Sequence, residues 1–363
     1  MKILLVSLSN HYTFQETIYT LKEEMSKSTN FEVHTLGSNK MRYTLQKYDS
    51  RTNHIFNVPS KTGISIKMLD YFELSRIISN IKKIDPDYIM FFSSHIWNIP
   101  IMKKFKGKNI HIIHDVIPHV GDKNYTSVKM YNKYMSRISD FIVVHTRIFI
   151  NLFSQMYKYP LEKIFYFNLT RKQIDYSSYN ESNKILFFGR INKYKGIDFL
   201  IDIIPHLNDY QFIVAGKPNK DSYDEINILK AFPNVTIIDS YIDEKMMEKL
   251  FLESELVILP YKSATQSGVI IDAYKYSRPV VCFAVGGLVE QVNNETGFLI
   301  EDGNKEMFIN KIRYYMSLAR EEKETYAHSA YNFGLKKYSL ESNVSLISNI
   351  LMDIQIQQNG IKL

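Results

Sequence analysis

Short apolar runs alternate with segments of helical period along the whole chain. KILLVSL (2–8) reads as a buried strand, and Phe14, Ile18, Leu21 and Met25 then recur at helical spacing. FEVHTLG (31–37) predicts a second strand, 40–64 is polar and irregular, and MLDYFELSRIISNIKKI (68–84) has helical period. DYIMFFSS (87–94), KNIHIIHDV (108–116) and DFIVVHT (140–146) predict three further strands. The polar stretch QIDYSSYNESN (173–183) predicts a linker. A second cycle begins at ILFFGR: helix IDFLIDIIPHL, strands YQFIVAG and VTIID, helix EKMMEKLFLES, strand LVILP, helix VIIDAYKY, strands PVVCFA and GFLIE. Residues 305–363 are helical by pattern, with Val344, Ile347, Ile350 and Leu351 on one face.

This alternation predicts an α/β protein of two doubly wound Rossmann-like domains with parallel sheets, facing a central cleft. The expected boundaries are 1–180 and 181–340, with a C-terminal helix at 341–363 packing back across the domain junction. Ligands in such sheets bind beyond the carboxyl ends of the strands, so the loops after ILFFG, FIVAG and LVILP should line one site.

The chain's 363 residues suit two domains, and 45% apolar with 23% charged residues is ordinary globular composition. The lone Cys282, inside PVVCFAV, excludes a disulfide framework and a cysteine-rich metal site and reads as a core residue. The first apolar run is too short for a signal peptide, and 88–102 is too short and too polar for a membrane helix, so a cytoplasmic location is expected.

Charge is unevenly spread. Residues 1–180 hold 25 basic and 14 acidic residues, a net of +11, while the remainder nets −4. A cationic first half suits anionic lipid or phosphate-bearing ligands. IMKKFKGKNI (101–110) reads either as a membrane-surface segment or as a solvated basic helix.

Two segments carry the candidate chemistry. In ILFFGRINKYKGIDFLI (185–201) a strand ends at Gly189, and Arg190 and Lys195 follow at the strand-to-helix turn. Two cations there suit a diphosphate, and glycine lets the backbone approach it. In LPYKSATQSGVIIDAYKYSRPVV (259–281) a small-residue turn opens a helix whose first amides, from Gln266, Ser267, Gly268 and Val269, suit an anion. Asp272, one turn further in, is either a ligand for ribose hydroxyls or a surface carboxylate. Gly286 and Gly287 predict a tight turn before Glu290.

FGRINKYKG, LPYKSATQSGVIIDAYKYSRPVV and AVGGLVEQV, in this order, resemble the C-terminal domain of the retaining GT-B glycosyltransferases of the "glycosyl transferases group 1" family, bacterial surface-polysaccharide type. The resemblance covers 183–300 well and the first half in outline. It implies that Arg190 and Lys195 grip a donor pyrophosphate, with backbone amides of Gln266–Val269 on the same group. It implies nucleobase contacts at Ser240, Tyr241 and Ile242. The family has two glutamates around that turn, where this chain has Thr265 and Asp272. Asp272 can keep the ribose role at shorter reach, whereas Thr265 cannot replace a carboxylate, so sugar recognition must differ.

On the acceptor and sugar side, KNIHIIHDVIPHVGDKN places His114, Asp115 and His119 beyond a strand end. The family's sugar-contacting histidine carries over to His114 first, with His119 as rival; a backbone-bonded structural histidine is the alternative. His145 and Thr146 have weaker claims. Ser9 and Asn10 follow the first strand, where the family often has glycines.

The resemblance implies retaining, metal-independent transfer from a nucleoside-diphosphate sugar to a growing polysaccharide or oligosaccharide, expected to be lipid-linked at the inner membrane face. No cofactor is expected beyond the donor co-substrate. Asp85 and Asp87 of IDPDY mimic a metal-binding pair but read as a helix-to-strand turn, and no metal is expected. Two rival readings stand: a non-catalytic sugar-nucleotide or polysaccharide-binding subunit, and an epimerase on the same plan. A dehydrogenase is disfavoured because no G-x-G-x-x-G follows the first strand. Nucleic acid is disfavoured because the 26 tyrosines are spread evenly.

Overall fold

The computed structural model describes residues 1–9, 12–39, 51–59, 70–117, 125–172, 174–176, 179 and 181–360. Asn10 and His119, with parts of the 40–64 and 173–183 segments, lie outside the described residues.

The chain forms two compact units, one of 1–116, 126–170 and 340–363, the other of 117–125 and 171–339. The main crossing falls between Thr170 and Arg171, ahead of the 173–183 segment.

In the first unit the elements are β1 (Lys2–Ser7), α1 (Tyr12–Ser28), β2 (Glu32–Ser38), β3 (Asn53–Phe56), α2 (Tyr71–Ile84), β4 (Tyr88–Phe91) and α3 (Asn98–Lys104). There follow β5 (Asn109–Ile113), α4 (Tyr125–Ile138), β6 (Phe141–Val144), α5 (Ile148–Tyr157) and β7 (Ile164–Tyr166). The parallel sheet has order β3-β2-β1-β4-β5-β6-β7. Alternation along β1 decides its two faces. Ile3 and Leu5 join Met90, Ile112, Val143 and the α1 side chains Ile18, Leu21 and Met25. Leu4 and Val6 join Phe91 and the α2 and α3 side chains Ile77, Ile81 and Ile101.

The second unit comprises β8 (Lys184–Phe188), α6 (Ile197–Ile203), β9 (Gln211–Ala215), α7 (Tyr223–Leu229), β10 (Val235–Ile238), α8 (Glu244–Leu252) and β11 (Leu256–Leu259). It continues with α9 (Gly268–Lys275), β12 (Val280–Phe283), β13 (Gly297–Ile300), α10 (Lys305–Ser317) and α11 (Arg320–Tyr338). Its parallel order is β10-β9-β8-β11-β12-β13. Strand order therefore reverses between β1 and β4 in one sheet and between β8 and β11 in the other, the crevices where doubly wound sheets take ligands. Cys282 is fully buried on β12, and burial pushes its thiol well up.

The last helix, α12 (Leu340–Gln358), belongs to the first unit. Its Val344, Ile347, Ile350, Leu351 and Ile354 enter the α1 face of that core. Among the described residues no helix is long and apolar enough to cross a membrane.

Two expectations need correction, and a third holds. Residues 53–56, read as irregular, form the edge strand β3, which borrows its order from β2 rather than from a hydrophobic pattern of its own. Helices α4 and α5 and the three-residue strand β7 occupy stretches to which the sequence reading assigns no element. Asp85 and Asp87 are a turn, as expected: Asp85 is the left-handed C-cap of α2 at φ 46°, and Asp87 accepts from the Lys2 N–H at 2.7 Å.

Candidate active site

The second unit builds a site at its β8/β11 crevice. Gly189 follows β8 at φ 101°, and its N–H donates to Ala215 O at 2.9 Å. A Cβ there would lie 2.9 Å from Lys195 Nζ, so the missing side chain is the room the ammonium occupies. Gly196 at φ 78° closes the turn, and a Cβ on it would come 2.0 Å from Pro260 O. That approach joins the β8 turn to the end of β11. Lys262 N–H donates to Tyr194 O at 2.8 Å and seals the same junction. Lys195 Nζ thereby stands 4.9 Å from the centre of the Tyr261 ring, at cation–π distance.

The small-residue turn and α9 form the opposite wall. As α9 begins at Gly268, the N–H groups of its first turn have no carbonyl within the helix to pair with. Ser267 departs from the expectation: its N–H donates to Gln291 Oε1 at 2.6 Å, and Gln291 Nε2 donates back to Ser267 O at 3.1 Å. That amide clamps the turn instead of waiting for an anion. Gly287 N–H donates to Ala264 O at 3.0 Å, so the predicted glycine turn braces this loop.

Between the walls is a cavity of about 240 Å³ lined by Arg171, Tyr194, Lys195, Tyr261, Ala264, Gln266, Ser267, Gly268, Val269 and Asp272. Asp272 is buried and not the surface carboxylate of the alternative reading; its Oδ1 accepts from Arg171 Nε at 2.8 Å. Arg171 and Tyr261 escaped sequence reading. Arg171 sits in an unpatterned stretch 101 residues from its partner, and only the fold brings them together.

Burial, opposed by Tyr194 and assisted by repulsion from Arg190, brings the Lys195 ammonium down to about 8. Arg190 is exposed and does not line the cavity; it acts on the site through this repulsion. Thr265 is buried behind the cavity wall. Tyr241 is 82% exposed and Ile242 half-buried after β10; neither lines the cavity.

The first unit gathers its own polar groups at carboxyl strand ends. Ser9 N–H donates to Ser93 Oγ at 3.1 Å, spanning the β1/β4 switch point. His114 Nε2 lies 2.7 Å from Phe92 O, and His114 Nδ1 lies 3.0 Å from His145 Nε2. His145 Nδ1 lies 3.0 Å from Phe167 O. Both nitrogens of His114 thus have partners in this conformation. Burial depresses His114, opposed by the Phe92 carbonyl and by Asp115, and holds His145 down at about 3. Asp115 is half-buried, and its carbonyl accepts from Asn132 Nδ2 at 2.8 Å. Among the described residues no group of three or more His, Cys, Asp or Glu is placed to hold a metal ion.

Comparison with known proteins agrees with this architecture. Residues 182–317 match the family model described as Glycosyl transferases group 1. A Klebsiella pneumoniae protein, described as an uncharacterized 41.2 kDa protein in the cps region, is 28% identical over 130 residues, 34% of this chain and 35% of that protein. The GDP-mannose:glycolipid 4-beta-D-mannosyltransferase of Xanthomonas campestris pv. campestris is 26% identical over 102 residues, 27% of this chain and 29% of the enzyme. The chain spans about a third of the length of these curated relatives. The crystal structure of Anabaena HepE in complex with UDP superposes with a TM-score of 0.74 at 15% identity, covering 97% of this chain and all of that one. Residues 182–317 are therefore similar to the Glycosyl transferases group 1 model, in a chain with the GT-B fold.

Proposed function

We propose that the protein is a glycosyltransferase that moves a sugar from a nucleoside diphosphate to a saccharide acceptor, with retention and without a metal. The observation that carries this reading is the cavity where Lys195, the first turn of α9 and Asp272 face one another at the β8/β11 switch point. Cationic and amide groups suit a diphosphate there, and Asp272 suits the ribose hydroxyls. The UDP complex of the structural neighbour and the GDP-mannose named for a relative support a nucleotide sugar as donor.

In the proposed step the bond from the anomeric carbon to the phosphate oxygen breaks, its electron pair leaving with the diphosphate. The acceptor oxygen bonds to the same carbon on the same face, and its proton passes to the departing phosphate. Negative charge grows on the diphosphate, so a preorganised Lys195, helped by Arg190 at the rim, lowers the barrier. These cations take the charge-compensating part that a divalent ion plays in other transferases. His114 would steady the transferred sugar by exchanging its Phe92 O or His145 partner for a sugar hydroxyl, with Ser9 and Asp115 at neighbouring strand ends of the first unit.

The acceptor is proposed to be a lipid-linked oligosaccharide or polysaccharide at the inner face of a membrane. The net +11 of residues 1–180 supports this, as do exposed Lys103, Lys104, Lys106, Lys129 and Lys133 on and beside α3 and α4. The glycolipid named for the Xanthomonas relative and the cps region of the Klebsiella one point the same way.

One observation favours a second reading. Thr265 supplies no carboxylate for the donor sugar, which suits a subunit that binds nucleotide sugar without turning it over. A panel of UDP-, GDP-, ADP- and CMP-sugars, with and without lipid extract and EDTA, separates the two. The transferase reading requires release of one nucleotide that survives EDTA and collapses in Lys195→Ala. Tight binding of one nucleotide with no release in any mixture would put the binding subunit in its place.

A further inference from the structure

Arg171 is the first residue of the second unit's main segment, and its N–H donates to Tyr338 O at 3.1 Å, which anchors its backbone. Its side chain turns into the cavity, where Nε donates to Asp272 Oδ1 at 2.8 Å. That bond uses the Nε–H. On the same edge, Nη2 sits over the first residue of α9: a Cβ on Gly268 would lie 2.7 Å from Nη2. Only a glycine leaves the guanidinium this seat. Lys195 lines the same cavity, so two cations share it with one carboxylate. Asp272 accepts at Nε, which orients the planar fork while leaving an acceptor oxygen of its own on the far side.

We propose that Arg171 is a ligand of the donor's diphosphate, oriented by Asp272 over Gly268 and acting with Lys195 from the other wall. The inference rests on the reading of this cavity as a nucleoside-diphosphate site. The two cations serve different ends of the anion. A single phosphate is satisfied by either one, whereas a diphosphate spans both, so Arg171 makes the site selective for the longer anion. The Arg171–Asp272 pair also ties the two halves of the donor together, since the carboxylate that meets the ribose positions the cation that meets the phosphate. Position 268 must then be glycine for a reason separate from backbone conformation, because a methyl group there displaces the guanidinium.

The test uses the full chain and isothermal titration with inorganic pyrophosphate and orthophosphate, then with UDP and GDP. Wild type should bind pyrophosphate one-to-one and at least tenfold more tightly than orthophosphate. Arg171→Gln should weaken pyrophosphate by about tenfold or more and leave orthophosphate within about twofold. Arg171→Lys should recover part of the loss, and Gly268→Ala should imitate Arg171→Gln. If Arg171→Gln binds pyrophosphate like wild type, or loses both anions by the same factor, Arg171 is only a wall of the cavity and the proposal fails. The same outcome follows if wild type binds no pyrophosphate. The two readings separate cleanly. Arg171-dependent pyrophosphate binding without affinity for any nucleoside diphosphate overturns the donor-site function and leaves this inference standing. Nucleotide binding indifferent to Arg171 does the reverse.

Discussion

The ammonium of Lys195 stands 4.9 Å from the centre of the Tyr261 ring, across the junction where Gly196 meets Pro260. The ring accepts the charge on one side, and burial penalises it on the others, which brings the group to about 8.

This sets the pH dependence of donor binding. A bound diphosphate favours the charged lysine and raises its proton affinity, so binding takes up a proton near pH 8. Affinity for a nucleoside diphosphate should be constant below about pH 7 and fall by about tenfold per pH unit above pH 8. Calorimetry in buffers of different ionisation enthalpy measures the uptake. Lys195→Met should bind weakly and without this slope; a flat profile for wild type would remove Lys195 from the diphosphate.

Gly196→Ala places a methyl group 2.0 Å from Pro260 O at a residue with φ 78°. Strain at such a backbone costs about 1–3 kcal/mol, before the clash is counted. The variant should melt lower and bind donor weakly, because the turn that delivers Lys195 must shift. Thermal denaturation and nucleotide titration on the same sample decide it; an unchanged melting temperature would mean that the turn relaxes freely.

Asp272 carries the prediction for the ribose. A hydrogen bond to a charged group is worth about 1.5–3 kcal/mol, so wild type should prefer UDP over 2′-deoxy-UDP, or the guanine pair if GDP is the ligand, by about tenfold or more. Asp272→Asn should bring that ratio close to one. A ratio untouched by the substitution would leave Asp272 as the partner of Arg171 alone.

The first unit predicts acid sensitivity. His111 is wholly buried on β5, its ring nitrogens have no hydrogen-bond partner among the described residues, and burial takes it down to about 3. The unfolded chain protonates it near 6.5 and the folded one does not. Its contribution is therefore fully present above pH 6.5 and is lost as pH falls from there toward 3, by about 1.4 kcal/mol per pH unit. His111→Phe should make the decline in stability between pH 6.5 and 5 shallower by about one proton. Equilibrium denaturation at stepped pH values reads this, and equal slopes in the two proteins would count against a neutral buried His111.

Much of this molecule is written locally. Buried parallel strands are continuous apolar runs, so KILLVSL, ILFFG and LVILP declare themselves, and Ile18, Leu21 and Met25 declare the face of α1. The glycine and lysine of FGRINKYKG were readable because turn geometry and charge are properties of neighbours in sequence. Strand β3 was not readable, because its ladder is supplied by β2. Nor was the use of the Ser267 amide, which depends on Gln291, a residue 24 positions away.

The sequence by itself determined the class of fold, the order of its two α/β cycles and the two segments that meet at the candidate site. Local periodicity and turn chemistry suffice for those, since each is decided within a few residues. Tertiary structure alone decided that Arg171 reaches Asp272, that Arg190 stays at the rim while Lys195 enters, and that α12 returns to the first unit's core. Those outcomes depend on which side chains burial forces together across long loops. A one-dimensional pattern of polar and apolar positions carries no record of that distance.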